Sequence, residues 1–406
     1  MTPLISILIA TKNRQKYCLS AVESILNLTD DRIQVIVQDN SDDKSLETMI
    51  LPFIGDTRLI YRYTPPPFSS IDNFNAAIEL ATGEYICLIG DDDGINPEII
   101  TAAAWAKANN IECLVGNLKA NYRWENTGEK KFLHIKVVSN SLIIGDFNGT
   151  AKKVDPKVSL KKLVQNGCTN YMEFDFPKLY HGVVKREIFE QLKLETGAYL
   201  KGLSPDIYAA IALSLKINQF IVVDYPLTIP GVCSLSSSIQ EGEQKTNSKD
   251  LESAPHLRDR KTPYNWEENV PRIYCVQTIW ADSAFAAFKE FKRDDLLQDF
   301  DVYKLCANIL EADPFLEPMV LSFLEKRNSQ FSKQELLNKV YSIKGMDGLM
   351  HKILKIVFNI KRLLGIERHM SITSITNMVS ATKQLEQSLI KFDLNLIKNL
   401  EDTNLK

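Results

Sequence analysis

A chain of 406 residues is too long for one ordinary compact core, which leaves one large domain with an appendage, or two domains. With 45% hydrophobic and 24% charged residues and a formal net charge of -3, it has the composition of a folded protein and no global basic field for nucleic acid. The 7 cysteines are scattered, odd in number and form no CxxC pair, which argues against a disulfide framework and a zinc site and fits a reducing compartment.

A strand pattern begins almost at once, with no basic-then-apolar leader, and no stretch reaches the ~18 uninterrupted apolar residues of a spanning helix. The expectation is a cytoplasmic protein, attached to a membrane at most peripherally, on the cytoplasmic face of the inner membrane.

Leu4 to Ala10 is a β-branched apolar run, the mark of a buried parallel strand. Lys16 to Leu28 has helical spacing, and Ile33 to Val37 is a second buried strand that stops at the turn signal Gln38 to Asp43. A helix from Ser45 to Leu51, a strand from Leu59 to Tyr63 and a helix from Ile71 to Ala81, closed by Gly83, follow. The strand Glu84 to Ile89 ends at Gly90-Asp91-Asp92-Asp93-Gly94, and Asn96-Pro97 opens the next helix. Strands alternating with helices at these lengths predict an α/β fold: a mixed, mostly parallel sheet flanked by helices. Ligands of such sheets lie at the carboxyl ends of the strands, so Thr11 to Arg14, Asp39 to Asp43 and Asp91 to Asp93 should converge on one face.

From Leu114 to Asn170 strand-like and polar segments mix without a clear order. Tyr180 to Phe189 reads as a strand running into a helix, Ser204-Pro205-Asp206 caps an apolar helix from Ile207 to Ile217, and Phe220 to Val223 is a strand. Gln240 to Lys261 is polar, the composition of a loop, lid or linker. From Trp266 to about Leu400 helical periodicity dominates. The domain reading is residues 1–240 (halves 1–99 and 100–240), a linker over 241–262 and a helical domain over 263–406.

Three adjacent carboxylates at a strand end are electrostatically costly without a cation. Hard divalent ions want oxygen ligands, and Mg²⁺ typically takes one or two carboxylates plus substrate phosphates. The alternative is a solvated acidic turn capping the next helix. Asp39 can accept hydrogen bonds from a nucleobase imide or a ribose hydroxyl, or simply form the turn. Thr11 and Arg14 can hold base or phosphate, or cap a helix.

Together these pieces resemble family 2 glycosyltransferases with the GT-A fold, of the bacterial polysaccharide and O-antigen type. The resemblance is carried by Pro3 to Arg14, Val35 to Asp43, Asn73-Phe74-Asn75-Ala76-Ala77 and Ala81 to Asp93, in that order and spacing, and it extends to about residue 230. It implies a nucleoside diphosphate sugar as donor, usually with uracil as the base, and Mn²⁺ or Mg²⁺ as cofactor. It implies that Thr11, Arg14, Asp39 and Asp91 contact the nucleotide sugar, with Asn73 and Asn75 on the donor pocket. Gly90 stands where the family's DXD motif has its first Asp, so Asp92 is the expected metal ligand, with Asp93 beside it.

Inverting transfer needs a general base for the acceptor hydroxyl. The resemblance puts Asp206 in that role, with Pro205 replacing a neighbouring acid. An acid in a helix's first turn also complements the helix dipole, by ~0.3–1 kcal/mol. His181 is a candidate acceptor contact or a structural histidine. The implied acceptor is a hydroxyl of a glycan or lipid-linked glycan.

Residues 350–364 carry four basic residues and one apolar face (Met350, Ile353, Leu354, Val357, Ile360, Leu364). Such a helix suits an anionic membrane surface, its own domain or a second subunit in a homo-oligomer. A sugar-1-phosphate nucleotidyltransferase is the competing enzyme, disfavoured because Ala10 to Tyr17 lacks glycine. A non-catalytic sugar-nucleotide-binding assembly subunit is the competing non-enzyme.

Overall fold

The computed structural model describes residues 2–128, 130–132, 135–235, 256–260, 262–345, 370–392 and 394–402. Most of the linker expected over 241–262 and all of the basic stretch 350–364 lie outside the described residues.

The first strands follow the sequence closely. They are β1 (Ile5–Thr11), β2 (Ile33–Asp39), β3 (Leu59–Tyr63) and β4 (Tyr85–Ile89). Between them run helices α1 (Gln15–Leu26), α2 (Ser45–Met49) and α3 (Ser70–Glu79), the last capped by Ser69, whose Oγ accepts from Asp72 N. β1 pairs in parallel with β2 and β4, and β2 with β3. In this register Thr11 stands opposite Asp39, both at strand ends.

The middle of the chain, which periodicity left unordered, is a run of short strands. β5 (Gly94–Ile95) leads into α4 (Glu98–Ala108) and β6 (Cys113–Gly116). β7 (Ala120–Arg123), the hairpin β8 (Lys130–Phe132) and β9 (Ile135–Val137), β10 (Ser141–Ile144) and β11 (Ala151–Val154) follow. Next come α5 (Pro156–Gln165), β12 (Gly182–Lys185), α6 (Arg186–Thr196), α7 (Pro205–Lys216) and β13 (Phe220–Val223). β14 (Thr228–Ile229) and β15 (Gly231–Val232) end this part.

The main sheet has the order β11-β13-β6-β12-β4-β1-β2-β3. β6 and β13 are parallel, whereas β12 is antiparallel to both β4 and β6, and β11 to β13. The α/β class and the mixed, mostly parallel, helix-flanked sheet are as expected.

Alternate side chains of the strands feed two cores, as the two-residue period of a strand requires. Ile5, Ile7, Ile9, Val35, Val37 and Cys87 point to one face, where α1 and α4 pack. Leu8, Ile36, Ile86 and Leu88 point to the other, with α5, α6 and α7. The chain after residue 266 supplies both faces. Helices α8 (Val276–Glu290), α9 (Val302–Ala312), α10 (Glu317–Arg327) and α11 (residues 333–345) join the Leu8 side. Then α12 (Met378–Phe392) and α13 (Leu396–Glu401) cross to the Ile7 side, where Met378, Leu385 and Leu400 are buried with α1 and α4.

Among the described residues of this region the helical reading has one strand as its exception, β16 (Met370–Thr373). It pairs antiparallel with β10 in a sheet of order β15-β7-β10-β16. Four residues with two apolar positions are too short for a periodicity signal. Among the described residues no helix is long and apolar enough to cross a membrane.

One clamp joins α3 to the segment that leads into α7. The Asn75 amide donates to Ile71 O and Leu200 O (both 2.9 Å), and its Oδ1 accepts from Tyr199 N (3.0 Å) and Leu200 N (2.9 Å). Asn75→Ala leaves three backbone groups of Tyr199 and Leu200 without these partners. It should cost about 2–3 kcal/mol of stability, read as a lower urea midpoint at unchanged m.

Candidate functional site

The acidic triplet closes β4 and is buried: Asp91, Asp92 and Asp93 are 3%, 4% and 2% exposed. Such a cluster demands compensation, and each member finds it differently. The Asp91 carboxylate accepts from Thr11 Oγ1 at 2.7 Å and faces the Arg14 guanidinium at 2.8 Å. The same guanidinium reaches Asp92 Oδ2 at 2.6 Å and Cys233 Sγ at 2.9 Å. Asp92 Oδ2 also accepts from Cys233 N at 3.2 Å, and its carbonyl accepts from Trp124 Nε1 at 2.8 Å.

Asp93 turns inward. Its Oδ2 accepts from Gly90 N (2.6 Å) and Tyr180 OH (2.8 Å), with His181 Nε2 at 3.4 Å, and its Oδ1 accepts from Gly231 N (2.6 Å). Burial pushes Asp91 up to about 6, with Arg14 pulling the other way, and pushes Asp93 up to about 7, with Asp92 adding to the shift. Arg14 is held above its ordinary value: burial opposes its charge, but Asp91 and Asp92 outweigh that.

Asp39 ends β2 fully buried. Its Oδ1 accepts from Ser41 N (2.8 Å) and its Oδ2 from Tyr61 OH (2.9 Å). Asn73 is buried, its amide nitrogen donates to Thr11 O at 3.2 Å, and its Oδ1 has no partner among the described residues. Thr11, Arg14, Asp91 and Asp92 are therefore in direct contact, and Asp39 and Asn73 adjoin Thr11 through the register and a hydrogen bond. Asn75 is not among them: all its amide groups are spent on backbone.

Asp206 sits in the first turn of α7, after Pro205. The turn before it is fixed from the C-terminal helices, because Ser283 Oγ of α8 accepts from Leu203 N (3.0 Å) and Ser204 N (2.8 Å). Burial raises the Asp206 carboxyl to about 6, while the Lys178 ammonium pulls it down. Lys178 also lies over the Tyr171 ring, 5.9 Å from its centroid. His181, with φ 63° and buried, is lowered to about 3 by its burial and by Lys178, and its Nδ1 has no partner among the described residues. Tyr180 feels the charge of Asp93 and Asp206 together, so the segment from Lys178 to His181 links the two acidic places.

Residues 6–144 match the family model described as glycosyl transferase family 2. This stretch is a family 2 glycosyl transferase domain. Glycosyltransferase GlyG of Streptococcus pneumoniae serotype 4 is 29% identical over 119 residues, which is 29% of this chain and 40% of that protein. The putative glycosyltransferase EpsH of Bacillus subtilis strain 168 is 29% identical over 130 residues, 32% of this chain and 37% of that protein. The chain thus spans about two fifths of the length of the curated relatives it matches. Among solved structures, S. aureus TarS 1-349 in complex with UDP-GlcNAc is similar at 14% identity and a TM-score of 0.48, over 86% of this chain and 91% of that one. The mannosyltransferase PcManGT from Pyrobaculum calidifontis, in complex with GDP-Man and Mn2+, is similar at 13% identity and a TM-score of 0.38, over 86% and 88%.

The matched stretch contains the strand ends that carry Thr11, Asp39 and Asp91 to Asp93. Among the described residues no three His, Cys, Asp or Glu side chains form a ready-made metal cage. The donor chemistry nonetheless fits a hard divalent ion. Asp91 and Asp92 are two oxygen-donor carboxylates already reconciled by a cation, and Mg²⁺ usually completes its shell with phosphates and water.

Sequence reasoning missed Trp124, Lys178, Tyr180, Gly231 and Cys233 as supports of the site. The partners of Trp124, Tyr180, Gly231 and Cys233 lie 32 to 141 residues away, and no local pattern announces such pairs. Gly231 is required by space. A Cβ there would lie 1.7 Å from Asp92 O. Gly231→Ala should force the β15 start away from the triplet and cost about 1–3 kcal/mol, measured as a drop in thermal stability that Val232→Ala does not reproduce.

Proposed function

We propose that this chain is an inverting, metal-dependent glycosyltransferase. It takes a sugar from a nucleoside diphosphate sugar, with UDP-sugar the first choice, to a hydroxyl of a glycan or lipid-linked glycan. The observation that carries the reading is the meeting of Thr11 and Arg14 with Asp91 and Asp92, next to Asp39, within a family 2 domain.

In this reading Asp39, held by Ser41 N and Tyr61 OH, keeps lone pairs for a base imide or ribose hydroxyl. Asn73 offers its unpartnered Oδ1 to the donor. Asp92 and Asp91 would hold Mn²⁺ or Mg²⁺. Asp93, whose two oxygens are engaged by Gly90, Tyr180 and Gly231, serves as the anchor of the triplet rather than as a ligand. When bound, the ion supplies charge neutralisation for the departing diphosphate.

Asp206 takes the acceptor proton as the hydroxyl oxygen attacks the anomeric carbon. The bond from that carbon to the diphosphate oxygen breaks on the opposite side, and the diphosphate leaves with the electron pair, inverting the centre. A carboxylate raised to about 6 is a stronger base than an ordinary aspartate yet still ionised at neutral pH. Arg14 offers the leaving phosphates a guanidinium fork. Lys178 keeps Asp206 ionised, and His181, neutral at working pH, braces Asp93.

Asp206→Asn should abolish transfer, by at least ~10²-fold in kcat, while UDP binding measured by calorimetry stays within a few-fold. Near-normal turnover in that variant would remove Asp206 from the role of base.

The pH dependence has a definite sign. The ionised form works, so kcat/KM should fall as pH drops through about 6. Because the folded value lies above the ordinary 3.8, the folded chain binds more protons between 3.8 and about 6, and this group's contribution to stability declines as pH rises through that window.

Asp92→Ala should abolish transfer and remove the Mn²⁺ dependence of UDP binding. Mn²⁺-dependent binding that survives the substitution would exclude Asp92 as the ligand.

A further inference from the structure

Arg14 stands just before α1, and its guanidinium spans two different carboxylates, Asp91 at 2.8 Å and Asp92 at 2.6 Å. The side chain is 21% exposed, and its Nε is buried without a partner among the described residues. A bidentate grip on neighbouring carboxylates does for the triplet what an external cation would do: it cancels charge that the strand end cannot carry in a buried setting. Arg14 and a divalent ion therefore compete for the same two carboxylates.

The competition has a cost that depends on what else is bound. If an ion takes Asp91 and Asp92 alone, a largely buried guanidinium loses both its anionic partners, which is strongly unfavourable. A diphosphate changes this, because its oxygens match the planar fork of arginine and accept the hydrogen bonds that the carboxylates release.

We propose that Arg14 is an exchange cation: it holds Asp91 and Asp92 against divalent metal until a nucleoside diphosphate offers it phosphate oxygens, so that metal and nucleotide bind as a coupled pair. The inference rests on the metal-dependent reading above and adds to it an order of events set by one side chain. Coupling of this kind is reciprocal, so the metal raises nucleotide affinity by the same factor.

Three full-length proteins decide it: the natural chain, Arg14→Gln and Arg14→Lys. Mn²⁺ binding is followed by electron paramagnetic resonance alone and with saturating UDP or GDP, corrected for the nucleotide's own chelation. The natural chain should bind Mn²⁺ weakly alone and more tightly with nucleotide, by a factor in the ~5–150-fold range of coupled sites. Arg14→Gln should bind Mn²⁺ alone more tightly than the natural chain, and the gain from nucleotide should shrink several-fold. Its melting temperature should rise with Mn²⁺ alone more than that of the natural chain.

Arg14→Lys keeps one charge but cannot span both carboxylates, so it should fall between the two, and it decides the matter if Arg14→Gln does not fold. Equal or weaker Mn²⁺ binding alone by the folded variants, with an unchanged gain from nucleotide, overturns the exchange role and leaves the metal-dependent reading intact. Absence of Mn²⁺ binding in every arm overturns both.

Discussion

Three carboxylates within a few ångströms at the end of one strand, all nearly out of water, set the terms for the rest of the molecule. Their mutual repulsion has to be met by groups that the local sequence cannot provide. Arg14 comes from the β1–α1 junction, Tyr180 and His181 from the approach to β12, Trp124 from the end of β7, and Gly231 and Cys233 from β15. Each element is thus held to the carboxyl end of β4 by a polar contact as well as by its apolar face. The sheet positions Asp91, Asp92 and Asp93, and they in turn fix where the short strands of the second sheet lie.

The two acids that flank Asp92 show how the same residue type is put to different uses by its partners. Asp91 keeps company with a hydroxyl and a cation, both of which can be exchanged. Asp93 is gripped by two backbone N–H groups and a phenol that are parts of the framework. Burial raises both carboxyls, yet only the first lies among groups proposed to contact a donor. The base candidate follows the same logic at a distance. Asp206 owes its position to Ser283, a residue of the C-terminal helices, so the chain beyond residue 266 takes part in the geometry of the proposed acceptor side.

Much of the sheet was legible because its period is. The runs at Leu4, Ile33 and Tyr85 are apolar on both faces, which only a covered parallel strand can use, and their polar ends fell on one edge as the topology demands. The segment from Leu114 to Asn170 resisted because its strands are three or four residues long and divided among three sheets, leaving no repeat to read. Asn75 looked like a pocket residue because it sits in a family motif beside Asn73, but its amide is spent on the chain at residue 200. Lys178 was invisible, because a lone lysine in a loop carries no signal until the fold brings Asp206 and His181 to it.

The return of the last helices to the first ones has a consequence for how the protein is made. Met378, Leu385 and Leu400 complete the face of the sheet to which Ile7, Val35 and α1 contribute, and Met378 packs where a side chain on Gly94 would stand. On the ribosome β1 to β4 emerge early, with one apolar face uncovered. At ~5–20 residues per second, the residues that cover it follow tens of seconds later. Folding of the proposed donor site is therefore tied to synthesis of residues 378–400, and the exposed face is a natural client surface for chaperones in that interval.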